Sequence, residues 1–378
     1  MTPKRRLAIA LLAALAAPAA QAELPLGKVG GTRVGFEGLL QLDGYSFDSD
    51  VADLGGRSAT GLRRAELVLK GKGPGALDWV AGYDAKSEKW LDVNLKYKFA
   101  GGQFLQLGQS KQPLGLEELT SSRHNDFIAK AAVTNTWAVS RRLGAAYGVG
   151  GANWTATGSA FTRELTRGNA MGAGAALRGT WAPIHGDGRT LHLGLAHADY
   201  AAELPGNPGA QRWRARPQAD LAAARLVDTG VLAGADRVRS TGLEALWLQG
   251  ALKLQGEAIR STTTRRGLPG FTGNGAYASA LWNVGGEPWG YARGLPATPD
   301  PAGAGMLQLG LRYDTLDLDD GAVRGGRMQA WTAGANYYWQ DHFKLALNYV
   351  KVDSRKAAAG GERHDDPDML ELRAQLHW

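Results

Sequence analysis

The amino-acid sequence predicts an all-β protein, an antiparallel transmembrane β-barrel of about 16 strands. The C-terminal segment is the clearest evidence, because apolar and polar residues alternate from Asp368 to the final aromatic residue, Trp378. In an extended strand this pattern places one chemistry on each side. The same alternation recurs along the chain, and the N-terminus carries an export signal. Such a terminal strand is typical of bacterial outer-membrane barrels, and the last strand of a soluble sheet is the alternative.

The first 22 residues are predicted to be a signal peptide. A basic region at residues 4–6 is followed by an apolar stretch at 7–17 and a small-x-small cleavage site at 20–22. The apolar stretch is shorter than a membrane-spanning helix, and no stop-transfer pattern follows it. We therefore expect the mature chain to begin at Glu23, with residues 23–378 forming a single barrel domain.

Composition excludes several classes of protein. No stretch of about 20 apolar residues follows the signal, which excludes a helical membrane protein. The sequence contains no Cys, which excludes disulfides and thiolate metal sites, while its 53 Gly and 12 Trp suit many tight turns and interfacial aromatic residues. The net charge of +7 falls to +4 without Lys4, Arg5 and Arg6, and this small excess does not indicate nucleic-acid binding. No cofactor or metal site is predicted.

Sixteen amphipathic segments account for the predicted barrel. Their charged faces are expected to line a wet interior, because a Lys or Arg that faces lipid costs about 2–4 kcal/mol at the bilayer midplane. A soluble sandwich would turn its apolar faces inward, and alternation alone does not separate the two folds. Connections 113–140, 201–238 and 285–302 are long and several others are short, a layout typical of long loops on one rim and turns on the other. The predicted strands span residues 34–46, 60–71, 76–86, 89–99, 103–112, 141–149, 152–163, 171–183, 189–200, 239–248, 251–261, 272–284, 303–316, 327–340, 342–354 and 367–378.

A family resemblance is carried by the run GQSKQPLGLEELTSSRHNDFIAK, residues 108–130, followed by Arg141-Arg142-Leu143-Gly144. These motifs resemble the signature of the phosphate-selective porins O and P. Segments 225–259, 303–321 and 326–353 resemble the same family in the same order, so the resemblance covers nearly the whole mature chain. It implies a sixteen-stranded trimeric barrel in the outer membrane, with an inward-folded third loop that narrows the pore and basic residues that draw anions through it.

Residues 113–140 form the predicted constriction loop. The loop and its flanks place cations beside hydroxyl groups, and both can replace the hydration shell of an oxyanion. Glu117, Glu118 and Asp126 lie in the same loop, so a charged loop that is merely solvated is the alternative. The candidate anion-binding residues of this region are Lys111, Ser121, Ser122, Arg123, Lys130, Arg141 and Arg142.

A basic pair opens the second predicted strand, where the family places one near the pore centre. Successive residues of a strand face opposite ways, so only Arg63 or Arg64 can point squarely into the lumen unless the other sits at a rim or bulge. Leu67 and Leu69 are in register with Arg63, which predicts that Arg64 faces the lumen. Glu66 would offset this cation, and an Arg64–Glu66 ion pair that braces the wall is the alternative.

The predicted function is a passive outer-membrane porin for small inorganic anions such as phosphate or polyphosphate. Its expected partners are outer-membrane lipid and lipopolysaccharide, the barrel-assembly machinery through Trp378, and further copies of the chain in a homotrimer. A general porin, or one for another substrate, is the main alternative. An outer-membrane enzyme agrees less well, because no GxSxG motif occurs and the scattered His residues provide no obvious base. A structural or adhesive barrel plugged by its long loops is the third alternative.

Overall fold

The computed structural model describes residues 23–49, 53–166, 172–301, 305–358 and 361–378. Sixteen antiparallel strands close into a single barrel, which confirms the predicted fold class and strand number. The predicted signal peptide, residues 1–22, lies outside the described residues. The barrel strands are β1 (Thr32–Asp48), β2 (Ser58–Lys72), β3 (Leu77–Asp84), β4 (Lys89–Lys98), β5 (Phe104–Lys111), β6 (Arg141–Gly150), β7 (Trp154–Phe161), β8 (Gly174–Gly186), β9 (Arg189–Ala201), β10 (Ala235–Gln249), β11 (Leu252–Arg265), β12 (Phe271–Asn283), β13 (Met306–Asp320), β14 (Val323–Trp339), β15 (Phe343–Ala358) and β16 (Asp368–His377).

The barrel closes where its first strand meets its last. β1 pairs with β16 from Leu39 opposite His377 to Asp48 opposite Asp368, and β15 pairs with the other edge of β16. Two further strands extend this region, Leu24–Val29 beside β1 and Gly361–Asp365 beside β15. None of the helices among the described residues is long and apolar enough to cross a membrane.

Side chains on the terminal strand alternate as the sequence predicts. Leu370 and Leu372 are 50% and 54% exposed on the outside, whereas Glu371 and Arg373 are 0% and 4% exposed on the inside. The same arrangement holds around the barrel, with a polar interior and an apolar outer face. This is the reverse of a soluble sandwich and is the arrangement that a barrel in lipid requires. Large aromatic residues that stand exposed on the outer face include Tyr97, Tyr147, Trp154, Trp181, Trp282, Trp331 and Trp339.

The three long connections do not share one rim, so the predicted layout is wrong in this respect. Residues 112–140 and 202–234 join an odd-numbered strand to the next even-numbered one, which places them on the rim opposite the chain termini. Residues 284–305 join β12 to β13 and therefore lie at the rim that carries the termini. We call the two ends the loop rim and the terminus rim.

Short elements lie in these connections. The constriction loop, residues 112–140, contains α1 (Leu116–Leu119), a 3₁₀ turn (Ser122–His124) and α2 (Ala132–Trp137), and another 3₁₀ turn (Ala100–Gly102) joins β4 to β5. Residues 284–305, here called the terminus-rim segment, contain a hairpin of Gly290–Ala292 and Leu295–Ala297. Three small antiparallel pairs lie in residues 202–234: Glu203–Leu204 with Asn207–Pro208, Ala210–Gln211 with Leu232–Ala233, and Arg214–Ala215 with Val227–Asp228.

The apolar core lies inside the barrel, between the wall and the loops that enter it. Trp137 of α2 is fully buried, and its ring lies 6.5 Å from that of Trp213 in residues 202–234. Phe271 of β12 and Val350 of β15 belong to the same buried cluster. Packing against these wall residues keeps both loops inside the barrel.

Candidate functional site

The constriction loop enters the barrel, as the family resemblance implies. Its first helix, α1, is held from across the lumen by Glu257 of β11. The two carboxylate oxygens of Glu257 accept hydrogen bonds from the backbone N–H groups of Leu116, at 2.6 Å, and Glu117, at 2.7 Å. The first N–H groups of a helix have no partner within the helix and favour a negative charge, so this contact fixes the start of α1.

The irregular part of the constriction loop is held by a row of lumen-facing side chains. These donate hydrogen bonds to backbone carbonyl oxygens that have no partner in regular secondary structure. The loop is therefore attached to the β13–β16 side of the wall, and the open space lies beside β2–β6. The donor and acceptor pairs are Gln375 to Arg123 (3.0 Å), Lys344 to Asn125 (2.6 Å), Asn336 to Asp126 (2.7 Å), Arg373 to Ile128 (2.9 Å) and Arg312 to Ala129 (2.9 Å).

Residues 202–234 also enter the barrel from the loop rim. The Asp220 carboxylate accepts a hydrogen bond from Arg63 Nε at 2.6 Å, and Trp213 Nε1 donates to the Thr263 hydroxyl at 3.0 Å. Burial alone would raise the pKa of Asp220, but the Arg63 guanidinium holds it below its usual value. These contacts hold the loop inside the barrel near the loop rim.

The terminus-rim segment enters the lumen from the opposite end. Arg178 of β8 donates to the Gly294 carbonyl at 2.8 Å, and the Tyr291 hydroxyl lies 2.8 Å from His192 Nδ1. Trp289 packs in a buried cluster with Leu116 and Phe127 of the constriction loop. Segments from both rims therefore meet inside the barrel.

Three neighbouring cavities that share lining residues lie along β2–β6, and together they are called the channel. The outer cavity, of about 250 Å³, lies near Arg63 and Asp220 at the loop rim. The middle cavity of about 500 Å³ and the inner cavity of about 630 Å³ continue it towards the terminus rim. Lys111 lines all three cavities, and Arg141 lines the outer two. Lys111 thus marks the point where the three cavities meet.

The channel is strongly basic. Among the described residues that line it, twelve are Lys or Arg and five are Asp or Glu. Such an excess of one charge sign in a narrow, low-dielectric cleft concentrates counter-ions, here anions. The basic residues are Arg63, Arg64, Lys70, Lys89, Lys96, Lys111, Arg123, Lys130, Arg141, Arg178, Arg293 and Arg373, and the acidic residues are Glu37, Glu66, Asp92, Glu118 and Asp220.

The structure brings seven of the eight predicted site residues to this channel. Arg64 and Lys130 line the outer cavity, Ser121 and Arg123 the middle one, and Ser122 and Arg141 both. Several of these cations also contact a carboxylate. The ion pairs are Arg64 with Glu66 (2.7 Å), Arg123 with Glu37 (2.9 Å), Arg141 with Asp92 (3.0 Å) and Lys130 with Glu118.

Arg142 is the predicted residue that lies apart from the others. Its side chain is only 7% exposed, and its Nη1 donates to the backbone carbonyl of Arg141 at 3.1 Å. Its electrostatic interactions are with Tyr200 and Glu164. Arg142 lines none of the three cavities, although strand alternation places it on the same face of β6 as Ala146, which lines the inner cavity.

Both members of the basic pair on β2 reach the lumen, so the preference for Arg64 over Arg63 is wrong as an exclusive choice. The register against β1 shifts where Gln41 lies opposite Arg64 and Leu42 lies opposite Leu62, leaving Arg63 as the extra residue of a β-bulge. A bulge interrupts the strict alternation of a strand, and the outer cavity is lined by both arginines. The predicted alternative of an Arg64–Glu66 ion pair is also observed.

Lys111 lies at the centre of the channel, and backbone carbonyl oxygens hold its ammonium group. Among the described residues, its Nζ donates to two backbone carbonyls, those of Glu118 and of Thr120 (3.0 Å), which leaves one of its three donors for the channel. Burial would raise the pKa of the neighbouring Glu118 carboxyl, but Lys130 and Lys111 together lower it to about 2. Glu118 is therefore ionised and helps to hold both cations in place.

Several channel cations are absent from the predicted set. Lys70 and Lys96 stand on the polar faces of β2 and β4, and strand alternation alone would have placed them in the lumen. Arg178 has the same signal on β8, where it alternates with the exposed residues Leu177 and Trp181, whereas Arg293 has none. Arg293 reaches the inner cavity because the terminus-rim segment enters the barrel, which local sequence does not reveal.

Comparison with solved structures finds the same barrel fold in several outer-membrane proteins. The outer membrane protein OmpT of Vibrio cholerae matches with a TM-score of 0.60 at 12% identity, over 94% of this chain and 99% of that one. The anion-selective porin from Comamonas acidovorans matches with a TM-score of 0.57 at 14% identity, over 91% and 99% of the two chains. The outer membrane channel DcaP of Acinetobacter baumannii gives 0.58 at 12% identity, over 94% and 99%. At these identities the likeness shows the fold alone.

Sequence comparison identifies the family. An uncharacterized protein of Caulobacter vibrioides is 29% identical over 373 residues, which cover 90% of this chain and 73% of that protein. The sequence profile of the phosphate-selective porins O and P matches residues 34–378, nearly the whole chain. The chain therefore belongs to the phosphate-selective porin O and P family.

Proposed function

We propose that the protein is a passive outer-membrane porin that prefers small anions such as phosphate or polyphosphate. One observation supports the proposal above all: twelve basic residues but only five acidic residues line the three neighbouring cavities. At an effective dielectric of about 20, two unit charges 4 Å apart interact by roughly 4 kcal/mol, and about 1.4 kcal/mol is already a tenfold preference. An excess of one or two cations at the narrow point is enough to set the preferred sign of ion.

The paired state of the cations suits transport rather than tight binding. A conducting channel needs sites that attract an ion yet release it. Carboxylates beside Arg64, Arg123 and Arg141 weaken each site. The remaining N–H donor of Lys111 and the hydroxyl groups of Ser121 and Ser122 can contact an oxyanion in the same region.

Export, assembly and partners form part of the same proposal. Residues 1–22 direct export and are removed, Trp378 is recognised by the barrel-assembly machinery, and outer-membrane lipid and lipopolysaccharide surround the apolar outer face. A homotrimer is the assembly that the family resemblance implies, and one structure of the Vibrio cholerae protein OmpT is of its trimer form. The protein acts as a channel rather than as an enzyme.

Conductance of the purified protein in planar bilayers tests the proposal. A porin gives discrete ohmic steps, an enzyme gives silence together with hydrolysis, and a plugged structural barrel gives silence alone. If the channel has a true oxyanion site, phosphate reduces chloride conductance, and the double variant S121A/S122A weakens that block while leaving chloride conductance intact. Steps that phosphate does not reduce would instead identify a general anion porin.

A further inference from the structure

The middle cavity is lined by aliphatic side chains as well as by cations. Val68 of β2 and Val80 of β3 point into the barrel, Leu119 comes from the constriction loop and Leu295 from the terminus-rim segment. Val80, Leu119 and Leu295 also line the inner cavity. Apolar surface therefore continues from one cavity into the next.

This apolar surface has no role for a hydrated inorganic ion. Chloride and phosphate interact with charges and hydrogen-bond donors, whereas a hydrocarbon group gains free energy when it leaves water for an apolar wall. The apolar surface lies close to the cations, because Val80 is the register partner of Lys70, and Val68 is two residues from Lys70 on the same face of β2. A solute that is anionic at one end and apolar at the other matches both surfaces.

The residues that line the middle cavity carry one more positive than negative charge, which one further carboxylate would balance. The lining contains four Lys or Arg residues and three carboxylates, Glu37, Glu66 and Asp92. Glu37 contacts two of the cations at once, Lys70 at 2.6 Å and Arg123 at 2.9 Å. Lys111, with one donor left for the channel, is the natural partner of an incoming carboxylate.

We infer that the channel takes small organic monocarboxylates that carry an apolar hydrocarbon group. The carboxylate lies at Lys111, and the hydrocarbon lies along Val68, Val80, Leu119 and Leu295. The volumes of about 500 Å³ and 630 Å³ fall within the range of sites that hold small organic molecules. This inference rests on the proposed anion channel and narrows its substrate class.

A chain-length series in planar bilayers tests the inference. Acetate, butyrate and hexanoate are titrated against chloride conductance of the purified parent protein, and the concentration for half block is measured. An apolar contact lowers this concentration with each added methylene, by up to about fourfold if the methylene is fully buried. Equal half-blocking concentrations for acetate and hexanoate would overturn the inference, whatever any variant does.

Two variants assign the effect to the wall. The double variant V68T/V80T keeps the shape of the side chains but adds hydroxyl groups, and it should flatten the chain-length dependence. V93T makes the same change on β4 outside the cavities and should retain it. Chloride reversal potentials are measured on all three proteins. If the parent protein shows no anion preference, the proposed function itself is wrong. If the parent prefers anions but its half-blocking concentrations do not depend on chain length, only this inference is wrong.

Discussion

Ion pairing decides how much each lining cation contributes to the field in the channel. Arg64 and Arg123 each contact a carboxylate, so their charges are partly offset. The nearest contacts of Lys111 are carbonyl oxygens, which orient the ammonium group without cancelling its charge. We propose that the balance between these two kinds of cation sets the selectivity of the channel.

Neutralising two paired cations should change that balance. In R64Q/R123Q, Glu66 and Glu37 lose partners in a partly desolvated site, so the reversal potential in a salt gradient should shift towards cation preference. The shift should shrink at 1 M salt, where the screening length is about 3 Å. R266Q/R327Q removes the same charge from side chains that are 80% and 64% exposed, and should have little effect. An unchanged reversal potential for R64Q/R123Q at low salt would refute the residue assignment.

We expect His124 to make the docking of the constriction loop sensitive to acid. Burial lowers its pKa to about 4, with Lys344, Arg123 and Lys253 acting in the same direction and Asp126 opposing them. Its ring also lies 6.1 Å from that of His377.

An undocked loop would protonate His124 near its ordinary pKa of about 6.5. Between pH 6.5 and pH 4 the undocked form therefore binds a proton that the docked form does not, and docking weakens as the pH falls. We expect more frequent conductance fluctuations at pH 5 than at pH 7.5, and a reduced pH dependence in H124Q. The same acid response in H124Q and parent would remove His124 from this role.

At the residue level, the position of a side chain could be predicted where the signal was local, whereas its role remains a prediction. Strand alternation placed Arg64 in the lumen, and the motif of residues 108–130 located Lys111 and Arg123. Alternation failed at Arg63 because a bulge depends on pairing with β1, which the sequence of β2 does not encode.

At the scale of elements, strands were predictable and connections were not. A strand carries its own two-sided pattern, so all sixteen were located, with ends that differ by at most a few residues. A connection that enters the barrel is held by partners far along the chain, such as Glu257 for α1. The terminus-rim segment was assigned to the wrong rim for a different reason, because loop length was used in place of strand order: it follows the twelfth strand, and an even-numbered strand ends at the terminus rim.

Removing the main anchor of the terminus-rim segment should widen the inner cavity. Trp289 donates from Nε1 to the Ala251 carbonyl at 3.1 Å, and the Lys253 ammonium lies 4.0 Å from its ring centroid. Replacing a buried Trp with Ala typically lowers the free energy of unfolding by about 3–5 kcal/mol. Because Trp289 lies outside the barrel strands, the loss should loosen the terminus-rim segment and leave the barrel in place. W289A should therefore raise single-channel chloride conductance while the barrel keeps its resistance to heat. W282A, on the outer face, is the control, and equal conductance in W289A and parent would count against a constricting role.

Trp378 joins the first and last strands. Its backbone N–H and carbonyl pair with Gly38 at 3.2 Å and 3.1 Å, and its ring covers Gly38, where any Cβ would lie 2.1 Å from Cζ2. A charged residue here disrupts this seam and any recognition by the assembly machinery, so W378E should lower the amount of heat-modifiable protein on semi-native gels. W339E alters another exposed aromatic residue and should have a smaller effect. Undiminished folded protein in W378E would contradict the role.

At the scale of the whole molecule, the barrel forms the wall and the inward segments narrow the open space. Continuous strand pairing from β1 round to β16 satisfies the backbone within lipid. Irregular segments enter the lumen from both rims, where the wall or water can satisfy their polar groups. The open path follows β2–β6, and its charge is basic along its whole length.

The reversal potential of the purified parent protein in a potassium chloride gradient tests the central claim most directly. Because twelve basic residues and five acidic residues line the channel, we predict a reversal potential with the sign of the chloride equilibrium potential. Its magnitude should be large at low salt and smaller at high salt. A reversal potential at zero, or on the potassium side, would contradict the account.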